Sequence, residues 1–241
     1  MPTHDDADKL YKQALEAGRR GDDPQATTLF EQALTFNLAK TVDDPGKPAQ
    51  AEPYYHQALT LYQTLPNTQR DQANCLLSLA ASLATRGKLA DAESYYRQAL
   101  TLYQTLPGTE HNQATCLLSL ANTLRELGKP ADAEPYFRQA LTLYQGIPNT
   151  QREQATCLYN LANTLDDLGK PADAEPYYRQ ALTLYQDIPN TEENQATCLK
   201  NLANTLDDLG KPAQAEPYYR QALTLYQTLP GTERDQATCL Y

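Results

Sequence analysis

Residues 160–172 read NLANTLDDLGKPA, and residues 201–213 repeat the same string. Paired carboxylates, as at Asp166 with Asp167 and at Asp207 with Asp208, are residue types that can hold a divalent cation or move a proton. The amides of Asn160, Asn163, Asn201 and Asn204 offer donors and an acceptor each, which is what a peptide backbone requires of a partner. Cys75, Cys116, Cys157, Cys198 and Cys239 raise two further possibilities, a zinc site or disulfides. Which chemistry is available depends on the elements that position these groups.

The cysteines fall 41 residues apart, and so do the segments AEPYYHQALTLYQ and its relatives beginning at Ala51, Ala92, Ala133, Ala174 and Ala215. The chain is therefore built from one repeating unit. In QATCLYNLANTLDDLG, Leu158, Leu161, Ala162, Leu165 and Leu168 recur at helical spacing, and in PADAEPYYRQALTLYQ the same holds for Ala174, Tyr178, Ala181, Leu182 and Tyr185. Each unit is predicted to be a hairpin of helix A and helix B. Gly169-Lys170-Pro171 supplies the turn between them, glycine taking the left-handed position and proline the first helical one. Thr150 followed by Glu153 predicts a capping box at the next helix A, as do Thr68 with Asp71 and Thr232 with Asp235. Pro176 falls inside helix B, where a bend and one lost backbone hydrogen bond are expected.

With helices assigned, several chemistries fall away. Neighbouring helical residues point about 100° apart, so Asp166 and Asp167 do not readily converge on one ion, and they are expected to be solvated beside Lys170. Cysteines on successive helices stand roughly 10 Å apart, beyond the ~7 Å reach of a disulfide, and are expected to be small apolar filler. No CxxC pair, HExxH or phosphate loop occurs, and His4, His56 and His111 occupy unrelated positions of the unit. Of each tyrosine pair, such as Tyr177 with Tyr178, one ring is expected in the core and the other at a margin with a wet hydroxyl. No catalytic residue, metal ligand or cofactor is expected.

These residues resemble the tetratricopeptide repeat family. Leu161 and Ala162 match its large and small helix A positions, Gly169 its turn, and Ala174, Tyr178 and Ala181 its helix B signature. The family unit is commonly 34 residues. The longer unit here, together with AEPYY, looks like the kinesin light chain type. The resemblance implies an all-α fold, a right-handed superhelical solenoid of antiparallel helix A/helix B hairpins, with about 11 full helices and a truncated last one. Regular units are expected over 48–232. Residues 1–47 are expected to form irregular helices of the same kind, with residues 6–20 as a helix A, Gly21, Ala26, Phe30 and Ala33 at helix B positions, and one continuous helix near 24–42. Residues 233–241 read as the first half of a further helix A.

The resemblance also implies that ligands contact the concave face lined by helix A. Opposite Leu161 lie Tyr159, Asn160, Asn163, Asp166 and Asp167; one unit on lie Lys200, Asn201, Asn204, Asp207 and Asp208; one unit back lie Leu118, Ser119, Asn122, Arg125 and Glu126. Core letters hardly change between units while this stripe varies. The expected peptide-binding set is Ser119, Asn122, Tyr159, Asn160, Asn163, Asp167, Lys200, Asn201, Asn204 and Asp208. Family members that bind peptides use asparagines at the two helix A positions that Asn160 and Asn163 occupy.

A formal charge of -10 and a pI near 4.8 speak against nucleic acid, whose binding rests on lysine and arginine displacing counterions. The aspartates on the stripe favour a ligand with basic residues, interrupted locally by Lys200. No apolar run approaches the ~18 residues of a membrane span, and MPTHDDADKLYKQ lacks a leader's basic and apolar regions, so a cytoplasmic protein is expected. The leading expectation is a non-catalytic scaffold that binds an extended peptide. Alternatives of other classes are a self-assembly module whose uncapped ends stack copies end to end, and a sensor or regulatory arm of a larger multidomain protein.

Overall fold

The computed structural model describes residues 51–64 and 66–240. The helices expected near 6–20 and 24–42 lie outside the described residues. Among those described, every regular element is a helix. In chain order they are α1 (Ala51–Thr64), α2 (Gln69–Thr85), α3 (Leu89–Gln104), α4 (Glu110–Glu126), α5 (Pro130–Gln145), α6 (Gln151–Asp167), α7 (Pro171–Gln186), α8 (Glu192–Asp208), α9 (Pro212–Tyr226) and α10 (Glu233–Thr238). Two compact units meet in the chain between Pro107 and Gly108. In the first, α2 packs on α1 and on α3. In the second, α4/α5, α6/α7 and α8/α9 form hairpins, α5 packs on α6 and α7 on α8, and α6 also touches the helices A on either side, α4 and α8.

Periodicity explains the packing. Leu161, Ala162, Leu165, Ala174, Tyr178, Ala181, Leu182 and Tyr185 are all buried between the paired helices, each leucine contributing about 1.5–3 kcal/mol by leaving water. Alanines at 162, 174 and 181 are wholly covered, and their small side chains let neighbouring backbones approach. The cysteines are buried and free, as their filler role requires. The thiols of Cys75 and Cys198 donate to the carbonyls of Tyr55 and Tyr178 in the preceding helix B.

The turns follow from backbone chemistry. Gly169 sits at φ +69°, its N–H bonding to Asp166 O at 2.8 Å and the Lys170 N–H to Leu165 O at 2.9 Å, a Schellman closure of α6. Between units the left-handed residue is Asn149 or Asn190 in one case and Gly108 or Gly231 in another, the residue types that tolerate positive φ. Helix α7 runs on through Pro176, which lies on its exposed side.

The capping boxes do not form. Thr150 precedes α6 at φ -111°, ψ 24°, outside the extended region a capping side chain needs, and makes no cap hydrogen bond. Its buried hydroxyl turns back to the end of α5, facing the carbonyls of Tyr144 at 2.6 Å and Ile147 at 2.9 Å, and accepts from Gln154 Nε2 at 3.1 Å. Thr191 and Thr232 repeat the arrangement, so this threonine ties each helix A to the preceding helix B.

Candidate functional site

The helix A stripe of the second unit carries the candidate residues. They form an inter-repeat ladder: Asn160 Nδ2 on α6 donates to Asn122 Oδ1 on α4 at 3.0 Å, and Asn201 Nδ2 on α8 donates to Asn163 Oδ1 on α6 at 2.9 Å. Asn201 Nδ2 also lies 3.0 Å from the Tyr159 hydroxyl. Each rung links the first asparagine of one unit to the second asparagine of the unit before.

A second network rises from helix B. The ring of Tyr178 is core, but its hydroxyl emerges on the stripe, 2.6 Å from Asn163 Oδ1 and 2.9 Å from Asp166 Oδ2. Thr205 on α8 donates to the same carboxylate oxygen at 2.8 Å. Asp166 is therefore half-buried and engaged, contrary to the expected solvation, while Asp167 is exposed. Burial, with Asp208 and Asp167 adding repulsion, holds the Asp166 carboxyl above its ordinary range, against the pull of the Thr205 and Tyr178 hydrogen bonds. Tyr219 repeats the contact one unit on, donating toward Asn204 at 2.7 Å and Asp207 at 2.9 Å. The other tyrosine of the pair, Tyr177, sits at the margin as expected, its hydroxyl accepting from Arg138 at 2.6 Å.

These residues surround a cavity of about 390 Å³. Arg125 of α4, Tyr159, Asn163, Asp166 and Asp167 of α6, Tyr178 of α7, and Asn201, Asn204 and Asp208 of α8 line it. A smaller cavity of about 120 Å³ lies on the other side of Tyr159, lined by that ring with Tyr185, Glu193, Asn194 and Thr197. The Arg125 guanidinium approaches Asp167 at 3.8 Å, too long for a hydrogen bond. Three carboxylates thus face one guanidinium in the larger cavity, and the local field is negative.

Of the expected set, Tyr159, Asn163, Asp167, Asn201, Asn204 and Asp208 converge on the larger cavity. Asn122 and Asn160 form the first rung beside it. Ser119 is part-buried on α4, its carbonyl taken by the Thr123 hydroxyl. Lys200 turns away: its ammonium pairs with Asp235 at 2.6 Å and lies 5.6 Å from the centre of the Tyr226 ring. Sequence reasoning placed Asp166 and Arg125 on the stripe but outside the expected peptide-binding set, and it missed Tyr178 and Thr205 as parts of the site. No consistent signal marked the pair: Phe137 accompanies Arg125 in one unit, but Tyr96 accompanies Ala84 in another, so hydroxyl and acid do not change together along the chain.

Among the described residues no group of three or more His, Cys, Asp or Glu side chains could hold a metal ion. No described helix is long and apolar enough to cross a membrane.

The family model described as tetratricopeptide repeat matches residues 31–105, 71–146, 113–187 and 153–228. The chain belongs to the tetratricopeptide repeat family. Among solved structures, this repeat protein is similar to BtubC (BKLC) from P. vanneervenii, with a TM-score of 0.76 and 22% identity over 95% of this chain and 91% of that one. It is similar to a kinesin light chain-like protein of Podosopora anserina with nearly identical TPR-like repeats, at a TM-score of 0.58 and 14% identity over 96% and 100% of the two chains. It is also similar to YrrB, described as a TPR protein with an unusual peptide-binding site, at a TM-score of 0.61 and 15% identity over 88% and 89%. At these identities the likeness establishes the fold. No curated protein sequence gives a significant match.

Proposed function

We propose that this tetratricopeptide repeat protein is a non-catalytic, cytoplasmic interaction scaffold that binds an extended segment of another protein along the helix A face of α4, α6 and α8. The observation that carries the reading is the pair of cavities sharing the Tyr159 ring as a common wall. Adjacent recesses on one polar stripe suit successive side chains of an extended chain, and the Nδ2 groups of Asn163 and Asn204, which have no partner among the described residues, suit its carbonyls. Tetratricopeptide repeat proteins are in general protein-interaction scaffolds, which agrees. The negative field of Asp166, Asp167 and Asp208 favours a segment with basic residues and disfavours nucleic acid.

The test is a peptide-array screen with this chain, followed by affinity measurements on a ligand so found. Tyr159→Ala and Asn204→Ala are expected to weaken it by roughly tenfold or more, about 1.4 kcal/mol each, with Gln180→Ala and Gln221→Ala on exposed helix B positions leaving it unchanged. Equal effects from both pairs overturn the groove assignment.

A further inference from the structure

Asp166 Oδ1 and Arg125 Nη1 are the buried side-chain oxygen and nitrogen that find no hydrogen-bond partner among the described residues. Both residues line the 390 Å³ cavity. An acceptor and a donor for which the chain supplies no partner thus stand beside one cavity, where a ligand group can complete both.

The missing chemistry can be read from the surroundings. Arg125 stands in the last turn of α4, Asp166 and Asp167 in that of α6, and Asp208 in that of α8. Each helix end adds roughly half a negative charge to the carboxylates there. Three carboxylates and three helix C-termini against one guanidinium select a cation. The cavity volume lies within the roughly 300–1,000 Å³ of side-chain-sized and larger ligand sites, and it is far too wide to clasp a bare ammonium from all sides. Its acceptors are instead spread over two helices, on α6 at Asp166 and Asp167 and on α8 at Asp208, with the Tyr159 ring in the wall between this cavity and its neighbour. That spread matches a planar guanidinium, which presents five N–H donors in a fork and stacks on aromatic faces.

We infer that the cavity between α4, α6 and α8 is a socket for an arginine side chain of the bound segment, its guanidinium donating to Asp166 and Asp208 with Tyr159 beside it. The backbone carbonyl of the same segment answers Arg125 Nη1. The inference rests on the groove reading above and specifies the residue that anchors the ligand. Smaller neighbours of that arginine fill the 120 Å³ recess beyond Tyr159.

A capped heptapeptide of alanine and serine with arginine, lysine, citrulline or glutamate at its centre is titrated into the full chain by nuclear magnetic resonance. Arginine is expected to bind best. Citrulline, which keeps the shape and loses the charge, is expected to bind roughly tenfold more weakly, and lysine to fall between. Asp208→Asn, at an exposed position, is expected to remove most of the arginine preference without altering the circular dichroism spectrum; Asp166→Asn is expected to do the same. Equal binding of all four peptides, or preference for glutamate, with shifts still on Tyr159 and Asn204 overturns the socket and leaves the groove reading standing. Absence of shifts with every peptide, or shifts confined to helix B surfaces, overturns both.

Discussion

Asn201 Nδ2 lies 2.9 Å from Asn163 Oδ1, joining α8 to α6, while the Nδ2 of Asn163 itself has no partner among the described residues. One row of amides therefore does two things. Each rung ties successive helices A together, and Asn163 and Asn204 accept through Oδ1, which leaves their Nδ2 donors available for the proposed peptide.

The ladder is testable by a double-mutant cycle. Asn201→Ala is expected to cost about 1 kcal/mol of unfolding free energy, and its coupling to Asn163→Ala to be roughly 0.5–1.5 kcal/mol. Strict additivity in urea unfolding would show that the rung contributes nothing.

Thr150 gives a second prediction because two accounts of it differ. With its hydroxyl on the Tyr144 and Ile147 carbonyls, Thr150→Val is expected to cost about 1–3 kcal/mol, since a buried acceptor loses its donor, while Glu153→Ala changes little. Thermal melts of both variants decide the matter. A larger loss for Glu153→Ala than for Thr150→Val would restore the capping box.

The difference between those accounts shows where sequence reasoning stops. The repeat, the helix pairs, the left-handed Gly169 and the buried set around Leu161, Ala162 and Tyr178 were legible because each depends on local period or backbone sterics. Asn160 and Asn122 stand 38 residues apart, and their bond depends on how far one helix slides along the next, which no local pattern encodes. The Tyr178 hydroxyl crosses from the core to Asp166 for the same reason. Lys200 was legible as a stripe residue, but its turn toward Asp235 is set by the arrival of α10.

Charge pairs on helix B give the pH dependence. The Lys211 hydrogen bond, with Arg179 adding to it against a desolvation cost, holds Glu175 below its ordinary carboxyl range. A lowered folded pKa adds stability that is complete above the unfolded value near ~4.3 and fades as pH falls through the folded one. Asp166 has the opposite sign: its raised folded pKa subtracts stability as pH climbs from the unfolded value near ~3.9 through the folded one. Glu175→Gln is thus expected to lower the melting temperature at pH 7 and Asp166→Asn to raise it relative to their pH 3 differences from the parent. Melts showing pH-independent differences would contradict the assignments.

Burial pushes the thiols of Cys75, Cys157 and Cys198 up to about 12. A thiol reacts as its thiolate, so labelling with a disulfide reagent at pH 8 is expected to be slow for these three in the folded protein and fast in guanidinium. Rapid native labelling at those positions would contradict their filler role.

The central claim, that the helix A face of the second unit receives an extended peptide, is tested most directly by following the side-chain amide resonances of asparagines while a screened ligand is added. The account predicts saturable shifts at Asn163 and Asn204, with Gln180 and Gln221 unmoved. Shifts confined to the helix B glutamines, with Asn163 and Asn204 unchanged at saturation, would contradict it.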